Sequence, residues 1–523
     1  MDSMNIFPGY RQADSIVFIA VGSILGLSLL HLLRTYWRLR YIPGPFLARF
    51  TNLQRVYWVK TTRAHEIHQQ MHEKYGNVVR FGPNMVSLGD PALIPSLYPI
   101  RPGFPKSDFY RSLMPYTRKG GSLPAVFNTR DENLHKVIKT PIAPLFSLSN
   151  ILPLEVFVNR VLEVLFQQLD TRFVSSGDTF DLADWLQYFA FDVMGTLTFS
   201  KRYGFLEHGR DVNNMLLTIW TYMSNCAPMT QIPWFDVVWN KNAFITLFRR
   251  ASGLSILGHV GELIADRRQR RNTPSAVSDE KASDRDMLSR FFELQEKDSK
   301  IPRWAVTAWA FSNVIAGSDS TAVTMRTTWF GLLSHPETLK TLRKELLDQD
   351  SKLEGGITRP FPAWKDICNL AYLDACVNEA VRLHPPFCLP FERVVPSGGL
   401  TIGGTYFPAG TVVGMSPWVI NRHRPTFGHD AESWRPERWM VPEEHRRKLE
   451  QSVLTFGAGR RVCLGKHIAM LEIKKLTAAL ALNYEFDLLD PKRFKVENGW
   501  FFRQYGMDVK ARKATVWEED KKQ

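Results

Sequence analysis

Phe456 to Gly465, FGAGRRVCLG, is the stretch from which the rest of the chain can be read. Its one cysteine, Cys463, lies between Gly459 and Gly465, with Arg461 two residues before it. Downstream, Ile468, Leu471, Leu476, Ala479 and Leu480 recur at helical spacing, which predicts a helix packing one face inward. Cys463 is therefore expected in a glycine-permitted turn that runs into a helix N-terminus. Backbone N–H groups and the positive dipole end there favour a thiolate over a thiol, and Arg461 adds a fixed positive charge. A thiolate open on one side is a ligand for a soft metal centre. An isolated cysteine is more commonly a small buried hydrophobe, so the reading depends on what else the chain carries.

The 523 residues are enough for one large domain or about two to three average ones, and 44% hydrophobic content suits a sizeable core. Five scattered cysteines, Cys226, Cys368, Cys376, Cys388 and Cys463, do not read as a disulfide framework and point to a reducing compartment. Cys368 and Cys376 lack a C-x-x-C partner, which argues against zinc. The net charge of +14 admits nucleic acid, an anionic membrane or an acidic protein partner. No nucleic-acid motif accompanies it, so the membrane and an acidic redox partner are favoured, beside plain solubility.

Ser15 to Leu33, SIVFIAVGSILGLSLLHLL, has close to the length a membrane-spanning helix needs, about 20 residues. Arg34, Arg38 and Arg40 follow it, while Asp2 and Asp14 precede it. The positive-inside rule then places residues 1–14 in the lumen and the bulk of the chain in the cytoplasm. Residues 34–45, ending in Ile42-Pro43-Gly44-Pro45, read as a basic, stiff neck. Tyr75 to Gly89 predicts a hairpin turning at Gly82-Pro83-Asn84. Phe104 to Pro124 reads as a loop, and residues 150–270 as mostly helical. Arg267, Arg268, Arg270 and Arg271 read as a solvated helix end, leading into a polar loop, NTPSAVSDEKASDRD. Ile301 to Leu333 is a long helical run containing Ala316-Gly317-Ser318-Asp319-Ser320-Thr321, an acid and hydroxyls in apolar company. Tyr372 to Leu383 is a further helix with Glu379 and Arg382 on one face. Trp434 to Trp439, WRPERW, contains Arg438, and residues 511–523 read as a charged tail.

Together these blocks resemble the cytochrome P-450 family. The match to F-x-x-G-x-R-x-C-x-G uses Phe456, Gly459, Arg461, Cys463 and Gly465, with Ala469 at the usual offset. Upstream, A-G-x-[DE]-T-[TS], E-x-x-R and P-E-R-F occur in the family's order. The resemblance covers about residue 15 to 510. Its style, including IPGP, GSDST and the run from His423 to Ala431, is similar to fungal members of the pisatin-demethylase-like type, which oxidise specialised metabolites. It implies a mainly helical fold with small β-sheets: a single haem-thiolate domain, residues 46–510, behind one anchor helix at 15–33.

The resemblance also implies roles. Cys463 would be the axial ligand of haem b, whose iron a lone thiolate can hold. Arg393 and Arg461 would meet the haem propionates, with His135 and Lys139, which share a helix face, where the family often has Trp or His and Arg. Lysine there lacks the arginine fork. Asp319 and Ser320 would guide protons to dioxygen, Gly317 letting the helix open locally, and Thr321 could share the task because Ser320 replaces the usual threonine. Glu379, Arg382 and Arg438 would form a buried structural triad. The implied activity is insertion of one atom of dioxygen into an apolar small molecule. Electrons would come from NADPH through NADPH–cytochrome P-450 reductase, with cytochrome b5 a further candidate donor. The implied location is the endoplasmic reticulum membrane, crossed once, with the catalytic domain cytosolic. Two other readings are an isomerase or dehydratase that uses the same haem without dioxygen, and a non-catalytic haem-binding membrane protein.

Overall fold

A computed structural model describes residues 8–101, 103–117, 121–242, 244–245, 255–271 and 285–514. The long helix Ala305–Ser334 runs through the middle of the molecule and is buried nearly all round, so its polar residues need partners or a purpose. It lies along the helix Leu182–Phe199, itself buried over almost its whole length, and against Ala371–Leu383 and Lys466–Asn483. Trp329, Phe291, Leu476 and Val193 belong to the resulting core. The central helix is unbroken through Gly317, so the expected local opening is not present. A methyl there would lie 2.7 Å from Met194 Sδ; the glycine admits the flanking helix instead.

The predicted hairpin forms from Val78–Gly82 and Met85–Leu88. It extends into a four-stranded sheet through Val412–Gly414, parallel to the second strand, and then Arg393–Val394. This edge position places Arg393 opposite Lys106. The segment from Phe104 is less irregular than expected. It holds a helical turn, Asp108–Arg111, and short paired strands at Tyr116–Thr117 and Gly121–Ser122; residues 118–120 lie outside the described part.

Both ends differ from the expected boundaries. The first helix spans Pro8–Arg38, and Phe18–Arg38 is long and apolar enough to cross a membrane. It continues past Leu33 because nothing in Arg34–Arg38 breaks a helix. The neck is docked rather than free. Arg80, fully buried, donates to Thr35 O at 3.0 Å and Pro83 O at 2.7 Å, and a Cβ at Gly44 would fall 2.4 Å from Arg80 O. At the other end, Asp508–Lys513 pairs with Tyr484–Leu488, so the sheet claims residues 511–513 of the expected tail. Residues 515–523, residues 1–7 and residues 272–284 of the expected loop 272–286 lie outside the described part. Arg267 is not a solvated helix end: it pairs with Asp286 at 2.7 Å and donates to Ser289.

Helix Ala371–Leu383 carries a fully buried ion pair, Glu379 with Arg382, at the centre of a wider cluster. Arg382 grips Glu379 with both arms, at 2.8 and 2.7 Å. Its remaining donor reaches Asn421 O at 3.0 Å and Ala431 O at 2.6 Å. Arg438 approaches Glu379 at 3.4 Å and Asp430 at 2.9 Å, and Trp439 Nε1 donates to Glu379 Oε2 at 3.0 Å. The carboxylate is thus saturated by donors, which is what makes a buried charge tolerable. The cluster ties helix Ala371–Leu383 to the chain at 421–439 that leads towards Cys463.

Candidate active site

The loop before Cys463 is shaped by close approach. Gly459 has φ +59°, and a Cβ on it would lie 2.0 Å from Tyr98 O, so no other residue fits. Cys463 N donates to Phe456 O at 2.8 Å, closing the turn. Gly465 then caps helix Lys466–Asn483. A Cβ on Gly465 would stand 4.0 Å from Cys463 Sγ, ordinary contact. Cys463 is exposed, yet protein surrounds it closely enough that burial pushes its thiol up, against the N–H groups of Gly465 and Lys466 and the charges of Lys139 and Lys466. The net direction is opposite to the expected thiolate preference: desolvation outweighs the helix terminus.

Beside this loop, basic side chains crowd together. Arg393 is buried and donates to Glu392 O at 2.9 Å and towards Tyr110 Oη at 3.4 Å. Lys106 is buried, with its ammonium 4.0 Å from the Tyr110 ring centre. Lys139 donates to Arg460 O at 2.7 Å, one turn after His135 on the same helix face. Arg461 pairs with Glu132 at 2.5 Å and Arg460 with the other oxygen at 3.0 Å. The Glu392 carboxylate is taken by Arg55 and Ser107, each at 2.5 Å. Among the described residues one acid, Glu132, therefore faces Lys106, His135, Lys139, Arg393, Arg460 and Arg461. Burial and then this repulsion push Lys106 well below its usual value. Burial, with Arg461 and Lys139, pushes His135 down to about 3. Among the described residues, the buried His135 Nε2 and Arg461 Nε have no hydrogen-bond partner. Such an excess of buried donors and positive charge suits an anion. The two carboxylates of haem propionates are such anions, so the residues present fit the group.

The central helix opens on one face only. Between Phe311 and Thr321 the residues that escape full burial are Ser312, Asn313, Ala316, Gly317, Asp319 and Ser320, and Ala316 is exposed. Ala316 and Ser320 sit one turn apart on that face. Ser320 Oγ donates to Ala316 O at 2.5 Å. Asp319 Oδ1 accepts from Gln187 Nε2 of the flanking helix at 2.7 Å. Burial pushes the Asp319 carboxyl up to about 6, against Gln187 and Arg326. Thr321 is buried off this face.

Glu132, Lys106, Tyr110 and Gln187 escaped the sequence reading. Glu132 carried a weak signal, three residues before His135 on a helix. The other three had none, because only folding brings them to the site.

The family model for cytochrome P-450 matches residues 43–509. The cytochrome P-450 monooxygenase asR2 of Sarocladium schorii is 59% identical over 96% of this chain and 98% of its own length. The cytochrome P-450 monooxygenase pkfB of Emericella nidulans is 62% identical over 92% of this chain and 93% of its own. A cytochrome P-450 monooxygenase of Aspergillus flavus is 60% identical over 91% and 93%. With a cysteine loop and basic cluster that suit haem, and these matches over nearly its full length, the chain belongs to the cytochrome P-450 family of haem-dependent monooxygenases.

Proposed function

We propose that this monooxygenase hydroxylates, or oxidises in a related way, an apolar small molecule in fungal specialised metabolism or detoxification. NADPH supplies the electrons through a separate flavoprotein reductase, with cytochrome b5 as a further donor. One oxygen atom enters the substrate; two electrons and two protons reduce the other to water. The observation that carries this reading is Cys463, exposed at a shaped turn beside basic residues that face too few acids.

Each residue then has a task. Cys463 Sγ would hold the haem iron, and the N–H groups of Gly465 and Lys466 would share its charge. Arg393, Arg461, Lys139 and the neutral His135 would hold the haem propionates. Phe456 and Gly459 shape the loop. When bound, haem supplies dioxygen activation, and a thiolate ligand favours O–O cleavage. Asp319 Oδ2 and Ser320 Oγ hold and pass protons on the open face of the central helix. The triad of Glu379, Arg382 and Arg438 is structural.

The test is the reduced carbon-monoxide spectrum of the purified protein. Wild type should show the red-shifted thiolate band and Cys463→Ala should lose it while keeping its fold; a band that survives removes the assignment. NADPH- and reductase-dependent product formation, on substrates found by profiling metabolites of a deletion strain, completes it.

The helix ending at Arg38 anchors the chain in the endoplasmic reticulum with the catalytic domain cytosolic. Protease added to intact microsomes should digest that domain; full protection would reverse the orientation.

A further inference from the structure

We propose that Gln187 is a positioning residue for Asp319: its side-chain amide, reaching across from the flanking helix, fixes the carboxyl so that one oxygen is spent on the protein and the other serves the open face. The inference rests on the reading of Asp319 as a proton-handling group. Its geometry is direct. Gln187 sits on helix Leu182–Phe199, the element that runs longest beside the central helix, and is itself buried. Its Nε2 donates to Asp319 Oδ1 at 2.7 Å. Among the described residues no hydrogen bond holds Asp319 Oδ2. The backbone contact at this level is close, because Gly317 lets Met194, two turns along the flanking helix from Gln187, press against the central helix. A glutamine is long enough to span the remaining gap, and the packed interface leaves it few other rotamers.

The charged surroundings of the pair are sparse. Arg326, seven residues on along the central helix, is buried and donates to Ala183 O at 2.8 Å. It faces Asp184 and Asp181 from the flanking helix side and Arg503 from the other. Arg326 and Gln187 are the two groups that favour the charged form of Asp319 against burial. A neutral amide is the milder of the possible partners: an arginine in its place would hold the carboxylate ionised through the whole neutral range. With glutamine the acid can both take and release a proton near neutrality, which proton delivery requires.

The experiment is infrared titration of the full-length holoprotein, following the protonated-carboxyl band that Asp319→Asn removes. In wild type its midpoint should lie near the value of about 6 set by burial. Gln187→Met keeps length and volume but cannot donate; it should move the midpoint up by about one pH unit. Gln187→Glu, which sets a second carboxyl against the first, should move it further, and it decides the matter if the methionine variant does not hold haem. A midpoint unchanged in the variants that fold overturns the assignment. Product formed per NADPH is measured alongside. If Asp319→Asn couples as well as wild type, the proton-handling reading falls, while a shifted midpoint still upholds Gln187 as the residue that sets the carboxyl.

Discussion

The carboxylate of Glu132 lies 2.5 Å from Arg461 Nη2, joining the first turn of helix Glu132–Lys139 to the loop that presents Cys463. Its second oxygen takes Arg460 at 3.0 Å. This single acid orders two arginines in a cluster that otherwise repels itself. Burial opposes its charge, but Arg461 and Arg460 hold the carboxyl below the usual range.

Glu132→Gln should therefore destabilise the protein by about 1–3 kcal/mol near neutral pH, the usual worth of a charged hydrogen bond left unmade. The sign with pH follows from the depressed native pKa. The stabilisation is present above the unfolded value, about 4.3, and is lost as pH falls through the native one. Thermal unfolding of wild type and variant should converge in acid. A gap that stays the same from neutral pH down through the whole carboxyl range would mean that packing, not charge, explains Glu132.

Glu132 and Arg461 are 329 residues apart, which is why the pair could not be read in advance. Glu379 and Arg382 could, because three residues on a helix fix their own proximity. The same contrast holds elsewhere. The central helix and the hairpin at Val78–Leu88 announce themselves by local period and turn residues. The strand Asp508–Lys513 does not: its lysines and arginines read as a tail until Tyr484–Leu488 pairs with it and Glu485 takes Arg512. The Cys463 thiol went the other way from its local signal, since helix-terminus chemistry is local and desolvation is a property of the whole fold.

Arg382→Ala should give little folded holoprotein. It removes both bonds to Glu379 and the bonds to Asn421 O and Ala431 O, and leaves a wholly buried carboxylate without its closest cation, held only by Arg438, Trp439 and the Arg435 N–H. Breaking such a pair from one side costs about 3–5 kcal/mol. Arg382→Lys should fare only slightly better, because a lysine cannot reproduce the fork. The measurements are soluble yield and haem content. A stable, haem-loaded but inactive Arg382→Ala protein would point to a direct part in catalysis instead.

Asp319 is a cost to the folded state at neutral pH. Its native value of about 6 lies above the unfolded one of about 3.9, so the native state binds the extra proton and stability falls as pH rises between them. Asp319→Asn keeps an oxygen for Gln187 and removes the buried charge. It should raise stability by on the order of 2 kcal/mol at about pH 8 and by much less at about pH 4. Differential unfolding at the two pH values checks it. An equal effect at both would show that the carboxyl is not desolvated in the native protein.

Ser320 stands where the family usually has threonine, and its hydroxyl points its proton at Ala316 O. That leaves the oxygen lone pairs for a water on the open face. A serine keeps this bond in competition with other staggered rotamers, whereas the extra methyl of threonine narrows the choice. Ser320 is only partly buried, on the face that Ala316 opens, so a methyl has room. Ser320→Thr should leave haem content unchanged and raise product formed per NADPH, since a better-held relay water loses less rate to misplacement. Ser320→Ala should release more peroxide, by several-fold, within the usual range for loss of a proton-transfer group. Thr321 is buried off this face, so Thr321→Ala should alter stability more than coupling. Product, peroxide and NADPH measured together in wild type and the three variants decide it. Equal coupling in wild type and both Ser320 variants, with collapse only in Thr321→Ala, would transfer the relay to Thr321 and require the helix to turn or open in the working enzyme.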